Sequence, residues 1–186
     1  MQQLIIIVGN GGAGKKTNGE ILFSRLPRAS WTHMRWMTAL NIWEPTPRFQ
    51  ELLLRNAACV IGNYFNEGVD QAILSGGVFS QDDLDRLVQL LDRPLDIRYF
   101  WLEVSDELRR QRLIGRARDS GDSPEVVAQL IANYSFPKPS LAIKHGRFFA
   151  LDAGRTPNEI VDEMLRGLKK DGKSHNDNAQ RCGHSE

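Results

Sequence analysis

A glycine-rich turn near the N-terminus constrains the fold of this chain more than any other feature. Residues 9–17 read Gly-Asn-Gly-Gly-Ala-Gly-Lys-Lys-Thr. They follow an apolar run at residues 4–8, rich in β-branched side chains, which is typical of a strand buried on both faces. They precede a short predicted helix that ends near Arg25. A strand, a glycine-rich turn and a helix in this order form the context of a phosphate-binding loop.

The residue types of this loop suit an anionic ligand. Glycines let successive backbone N–H groups converge on phosphate oxygens, and the start of a helix adds partial positive charge. Two positively charged lysines at a helix N-terminus oppose the helix dipole, and an anion bound between them would offset this repulsion. An ordinary glycine-rich turn is the alternative. The predicted ligand-binding residues are Gly9, Gly11, Gly12, Ala13, Gly14, Lys15, Lys16 and Thr17.

The loop departs from the full pattern G-x-x-x-x-G-K-[ST] at its last position. The pattern places a Ser or Thr hydroxyl, which binds Mg²⁺, directly after the lysine. Here Lys16 occupies that position and Thr17 follows one residue later. One residue turns a helical side chain by about 100°, so Thr17 does not simply replace the missing hydroxyl. The sequence therefore predicts phosphate binding but leaves Mg²⁺ binding open.

Strand and helix signals alternate along the chain to about residue 170. Further strands are predicted near residues 31–34, 71–74, 96–104 and 148–151, and a helix over residues 48–67. Ser80 and Thr156 each precede an acidic residue by three positions, which predicts a capping box at the start of two more helices. This alternation predicts an α/β fold with a mainly parallel sheet. Residues 171–186 lack apolar periodicity and are expected to form a disordered polar tail.

Charge and composition exclude several classes of protein. The chain has 186 residues with 24 basic and 23 acidic side chains, so its net charge of +1 argues against a strongly basic nucleic-acid binder. Two cysteines cannot form a disulfide framework, which favours a reducing compartment. No apolar run is long enough for a membrane span. We therefore expect a cytoplasmic protein with neither nucleic-acid nor membrane partners.

Four segments resemble the small P-loop kinases, such as shikimate kinase, gluconate kinase and chloramphenicol phosphotransferase. They are the loop at 9–17, the Ser-Gly-Gly turn at 75–77, the arginine-rich segment at 109–122 and the turn at 151–154. The resemblance implies a three-layer P-loop NTPase fold, with helices on both faces of a five-stranded parallel sheet in the order 2-3-1-4-5. It further implies a nucleotide-binding domain over residues 1–170 with a small lid at about 112–123.

The same resemblance implies where the ligands lie. ATP would lie over the first loop, with Lys15 acting on its phosphates. The turn at 152–156 would flank the adenine, with Asp152 and Gly154 as its predicted binding residues. A lid arginine would close over the transferring phosphate, and the candidates are Arg112, Arg116 and Arg118. The other arginines of that segment, Arg109 among them, are expected on a solvated face.

The acceptor would lie near the ends of the second and third strands. Gly76 and Gly77 follow the third strand, and Arg35 follows the second. Arg35 is either a residue that recognises an anionic acceptor or an ordinary surface arginine. Such kinases generally carry an acidic residue near the end of the second strand, whereas His33 stands here. His33 is a candidate catalytic base, and a hydrogen-bonded structural histidine is the alternative.

These features predict an ATP-dependent phosphotransferase that acts on a hydroxyl of a small molecule. Lys16 and Ser75 occupy two positions where such proteins place a ligand of Mg²⁺, so no residue is assigned to a metal. A different class of protein therefore stays open: a nucleotide- or anion-binding regulator or scaffold with impaired catalysis. The sequence is compatible with a monomer or a homodimer.

Overall fold

The computed structural model describes residues 1–34, 46–120, 123, 125, 128, 131–132 and 135–169, with residues 118–120 described by their backbone alone. The strands are β1 Gln2–Gly9, β2 Ala29–His33, β3 Gln71–Ser75, β4 Leu95–Glu103 and β5 Gly146–Asp152. The helices with described bounds are α1 Lys15–Arg25, α2 Pro47–Asn66, α3 Gln81–Leu91, α4 Asp106–Ser120 and α5 Pro157–Leu168.

The five strands form one parallel sheet in the order β2-β3-β1-β4-β5. This confirms the fold class and the strand order expected from the sequence. β1 is the central strand, and its apolar residues at positions 4–8 are fully buried. They form an uninterrupted apolar run because helices cover both faces of the sheet.

Two apolar layers hold the helices against the sheet. On one face α2 and α3 pack through residues such as Leu53, Ile61 and Leu87. On the other face α1 and α5 pack through Leu22 and Met164, among others. The N-terminus of α1 lies beside the carboxyl end of β1 because a short loop, residues 10–14, joins the two elements.

Local signals in the sequence define several helix starts. Ser80 caps α3 and Thr156 caps α5, and each forms the reciprocal capping box with the acidic residue three positions later. Both capping boxes are as predicted. The α2 helix begins one residue earlier than expected, because Thr46 caps it and Pro47 occupies its first position.

The arginine-rich helix α4 extends to Ser120, inside the segment where the sequence predicted a break. The expected lid spans 112–123, of which α4 contains 112–120 and residue 123 is also described. Its role as a lid stays a prediction.

The expected polar tail at 171–186 lies outside the described residues. Within the described part of the chain, no helix has both the length and the apolar character needed to cross a membrane.

Candidate functional site

The glycine-rich loop joins the central strand to α1 and adopts a conformation that needs glycine. Gly12 and Gly14 have φ angles of 85° and 86°, in the left-handed region that side chains disfavour. A Cβ on Gly12 would also lie 3.0 Å from the carbonyl oxygen of Arg109. Gly14 caps α1 without a side-chain hydrogen bond, and the first turn of α1 carries no acidic residue. The first N–H groups of this helix are therefore left without a side-chain cap, as an anion-binding helix start requires.

The loop borders a cleft of about 380 Å³. Residues 12–17 form its floor, and three other parts of the chain complete its walls. His33 reaches it from the end of β2, and Arg112 and Arg116 reach it from α4. Arg155 lines it from the turn after β5, and Pro157 lines it from the start of α5. Segments far apart in the sequence therefore meet at the carboxyl ends of the strands, where ligands bind in open α/β sheets.

Lys15 points back toward its own loop. Its Nζ donates hydrogen bonds to the carbonyl oxygens of Gly9 at 2.7 Å and Asn10 at 3.0 Å. Burial, and then the positive charges of Arg116 and Arg109, lower the pKa of Lys15 to about 8. The ammonium of Lys15 therefore loses its proton more readily than an ordinary lysine does, and a bound anion would favour its charged form.

The walls of the cleft are strongly cationic. Among the described lining residues five side chains are basic and none is acidic; the basic ones are Lys15, Lys16, Arg112, Arg116 and Arg155. Arg112 Nη1 lies 3.5 Å from the carbonyl oxygen of Gly12, which holds its guanidinium beside the loop. Arg155 forms an ion pair with Glu163, a residue outside the lining. A chain of net charge +1 therefore concentrates positive charge at one place.

Arg109 is buried rather than solvated, with 2% of its surface exposed, so the expectation of a solvated face was wrong for this residue. It donates hydrogen bonds to the carbonyl oxygen of Ile131 at 2.5 Å and to Ser135 Oγ at 3.2 Å. Ile131 and Ser135 lie further along the chain, and they supply the acceptors for this buried guanidinium. The Phe136 N–H in turn donates to Asn10 Oδ1 at 2.7 Å. Phe136 is therefore tied directly to the phosphate loop.

The glycines predicted near the acceptor lie beside the cleft rather than in its lining. Gly76 donates its N–H to the Ile7 carbonyl oxygen at 2.8 Å, and Gly77 packs closely against Met34. A Cβ on Gly76 would lie 3.9 Å from Lys15 Cε, so this turn adjoins the loop lysine. Arg35, the other residue predicted there, lies outside the described residues.

The predicted adenine-flanking turn is present, although different residues of it reach the cleft. Asp152 Oδ1 accepts a hydrogen bond from the Gly154 N–H at 2.8 Å, which shapes the turn. Ala153 and Arg155, rather than Asp152 and Gly154, line the cleft. Arg155 lies within the predicted turn at 152–156, although it is not among the binding residues predicted there.

Three other predicted ligand residues are placed as follows. Gly9 and Gly11 do not line the cleft, and Gly9 instead supplies a carbonyl acceptor to Lys15. The side chain of Arg118 is outside the described part of the structure. The remaining predicted loop residues, at positions 12–17, all line the cleft.

Comparison with known proteins finds kinases among the similar proteins, although no family model matches the chain. An adenylate kinase from Nautilia profundicola is 25% identical over 191 residues, which cover 91% of this chain and 98% of that protein. The unliganded structure of a sugar kinase from Janibacter superposes with a TM-score of 0.70 at 14% identity, covering 90% of this chain and 95% of that one.

A second solved structure is that of the Mycobacterium tuberculosis APS kinase in complex with AMPPNP and APS. It superposes with a TM-score of 0.60 at 15% identity and covers 90% of this chain and 97% of that one. The chain has the fold of the small P-loop kinases, which confirms the resemblance stated from its sequence.

Proposed function

We propose that this protein is an ATP-dependent phosphotransferase that acts on a hydroxyl group of a small molecule. One observation carries the proposal: the glycine-rich loop, Lys15, His33 and two arginines of α4 all line the same cleft. The cleft thus combines groups that bind phosphates with groups that could assist transfer. The likeness to small P-loop kinases and to an adenylate kinase supports this general class.

The phosphates would lie over the start of α1. Backbone N–H groups of residues 12–17 would donate to the β- and γ-phosphates, and Lys15 would exchange its two carbonyl acceptors for phosphate oxygens. Arg112 and Arg116 would face the γ-phosphoryl from α4 and offset the charge on its oxygens during transfer. The adenine would lie beside the turn at 152–156, toward Arg155 and Pro157.

His33 is the proposed catalytic base. It lies at the carboxyl end of β2, opposite Ser75 in the parallel register, and it lines the cleft. In the reaction the acceptor oxygen would form a bond to the γ-phosphorus while the bond from that phosphorus to the β-γ bridging oxygen breaks. The hydroxyl proton would pass to His33, and the products would be ADP and a phosphate ester.

The acceptor would bind beside the Gly76-Gly77 turn, where Arg35 would also contribute. This turn is held in place by Gln50, whose Nε2 donates to the Gly77 carbonyl oxygen at 2.6 Å and to Asp83 Oδ1 at 2.9 Å. Fixed backbone next to Lys15 suits a small substrate that must be oriented for in-line attack. We place the reaction in the cytoplasm, with no nucleic-acid or membrane partner, in a monomer or a homodimer.

A second function is favoured by one specific observation. The Ser75 side chain stands at the end of β3, and it is completely buried and hydrogen-bonded to Trp31 Nε1 at 3.0 Å. The end of this strand therefore offers no carboxylate to the reaction. The alternative is a nucleotide-binding regulator or scaffold that binds ATP without transferring phosphate.

A phosphoryl-transfer screen distinguishes these two functions. The purified protein is incubated with ATP and a panel of sugars, polyols, hydroxy acids and AMP, and both ADP and the phosphorylated product are measured. We expect an ester with one hydroxylated acceptor, and a loss of about 100-fold in turnover for His33→Ala with little change in ATP affinity. His145→Ala, which changes an exposed histidine, is the matched control.

Two outcomes would contradict the proposal. ATP binding without turnover on any acceptor would favour the regulator. Phosphorylation of AMP alone would show that the acceptor is a phosphate group rather than a hydroxyl, as the name of the adenylate kinase relative suggests.

A further inference from the structure

The end of β3 does not provide a ligand for a magnesium ion in the cleft. Ser75 is fully buried, and its hydroxyl oxygen accepts the hydrogen bond from Trp31 Nε1. A Cβ built on Gly19 would lie 2.5 Å from this oxygen, so the hydroxyl packs against the body of α1. Ser75 is absent from the lining of the cleft. Its oxygen is therefore committed to holding β2, β3 and α1 together.

The start of α1 is equally poor in metal ligands. Mg²⁺ prefers oxygen ligands in near-octahedral geometry, commonly one or two carboxylates together with phosphate oxygens and water. Among the described lining residues, none is acidic, and Thr17 supplies the one side-chain hydroxyl. No group of three or more His, Cys, Asp or Glu side chains suited to a metal occurs in the described parts of the chain. The donors that the described residues offer at this cleft do not fit a protein-bound magnesium ion.

The cations that line the cleft offer a different way to balance the charge of a triphosphate. Free ATP carries roughly four negative charges near neutral pH, and magnesium would offset about half of them. Lys15, Lys16, Arg112 and Arg116 together present a comparable positive charge to the same space. Lys16 is exposed on the first turn of α1, at the position where the full motif has its metal-binding hydroxyl.

We propose that the cleft binds its nucleoside triphosphate as the metal-free anion, with the Lys16 ammonium supplying the charge that magnesium supplies in other phosphate loops. This inference rests on the proposed nucleotide binding but not on phosphoryl transfer. An ammonium can donate to β- or γ-phosphate oxygens from the helix start. It favours the metal-free form because a bound Mg²⁺ would be repelled by Lys16 and its basic neighbours.

The test is isothermal titration of the full chain with ATP, once in excess EDTA and once in excess Mg²⁺. We expect the two Kd values to agree within about threefold, or the EDTA value to be lower. Lys16→Met should raise the Kd in EDTA by about tenfold or more, the loss expected for a charge-assisted hydrogen bond. Lys144→Met, which removes another exposed lysine, should leave it unchanged.

A second variant adds a gain of function. Lys16→Ser places a hydroxyl directly after Lys15 and removes the competing charge, so its ATP affinity should become stronger in Mg²⁺ than in EDTA. Circular dichroism on each variant checks that the fold is retained, which we expect because Lys16 is exposed.

The outcomes separate this inference from the proposed function. A wild-type Kd that is about tenfold or more higher in EDTA than in Mg²⁺ would overturn the metal-free inference and leave nucleotide binding intact. An equal loss for Lys16→Met and Lys144→Met would also overturn it. Absence of ATP binding in both buffers would overturn this inference and the proposed function together. Metal-independent binding without turnover would support the inference while refuting the phosphotransferase.

Discussion

The protonation of Lys15 should make nucleotide affinity fall as the pH rises above neutrality. In the free protein burial and the nearby Arg116 and Arg109 lower the pKa of Lys15 to about 8. Bound phosphate would favour the charged ammonium and raise this pKa again, so binding takes up a proton when Lys15 starts neutral. Arginine side chains are always protonated in proteins, so the pH dependence is assigned to Lys15.

The size of the effect follows from the titration of one group. With a pKa of about 8, roughly 76% of Lys15 is protonated at pH 7.5 and roughly 9% at pH 9. If the complex keeps Lys15 protonated over this range, the affinity falls by about eightfold, or about 1.2 kcal/mol. The range is chosen because an ordinary histidine and a terminal phosphate have largely lost their protons by pH 7.5.

Titration calorimetry with ATP at several pH values between 7.5 and 9 measures this slope, and buffers of different ionisation enthalpy report the proton uptake. Lys15→Arg is the matched control, because arginine remains charged up to pH 9 and its binding should be independent of pH. Equal wild-type affinity at pH 7.5 and pH 9, or the same slope in Lys15→Arg, would refute the assignment of this proton to Lys15.

Three further changes test other contacts of the structure. Asn10→Ala should make the amide of Phe136 exchange its hydrogen faster, since that amide loses its acceptor; unchanged protection would contradict this. Arg109→Met should lower the free energy of unfolding in a urea titration by about 2–4 kcal/mol, because buried acceptors lose their donor. The control Arg110→Met, at an exposed position, should lower it by under about 0.5 kcal/mol, and equal urea midpoints for the two variants would argue against the buried contact. Ser80→Ala should cost about 0.5–2 kcal/mol in the same urea titration, and no loss would mean that the cap does not stabilise α3.

Features that depend on neighbouring residues could be predicted from the sequence. The apolar run of β1 identifies a strand covered on both faces, because only such a strand can be apolar at every position. The capping boxes at Ser80 and Thr156 involve residues three positions apart, so each is complete within one helical turn. The glycine-rich loop is equally local, and its place between β1 and α1 is visible in the order of the residues. Together with a family resemblance, these signals were sufficient for the fold.

The detailed composition of the site was decided by tertiary packing. The sequence predicts a solvated position for Arg109 because its neighbours are charged, and only the approach of Ile131 and Ser135 gives it acceptors away from solvent. The contact between Asn10 and Phe136 joins residues 126 positions apart, and no local pattern encodes such a distance. Arg155 reaches the cleft only because α1 and α5 pack on the same face of the sheet. A sequence records which side chains are available, whereas the packing of distant segments decides which of them share a cavity and which are buried beneath it.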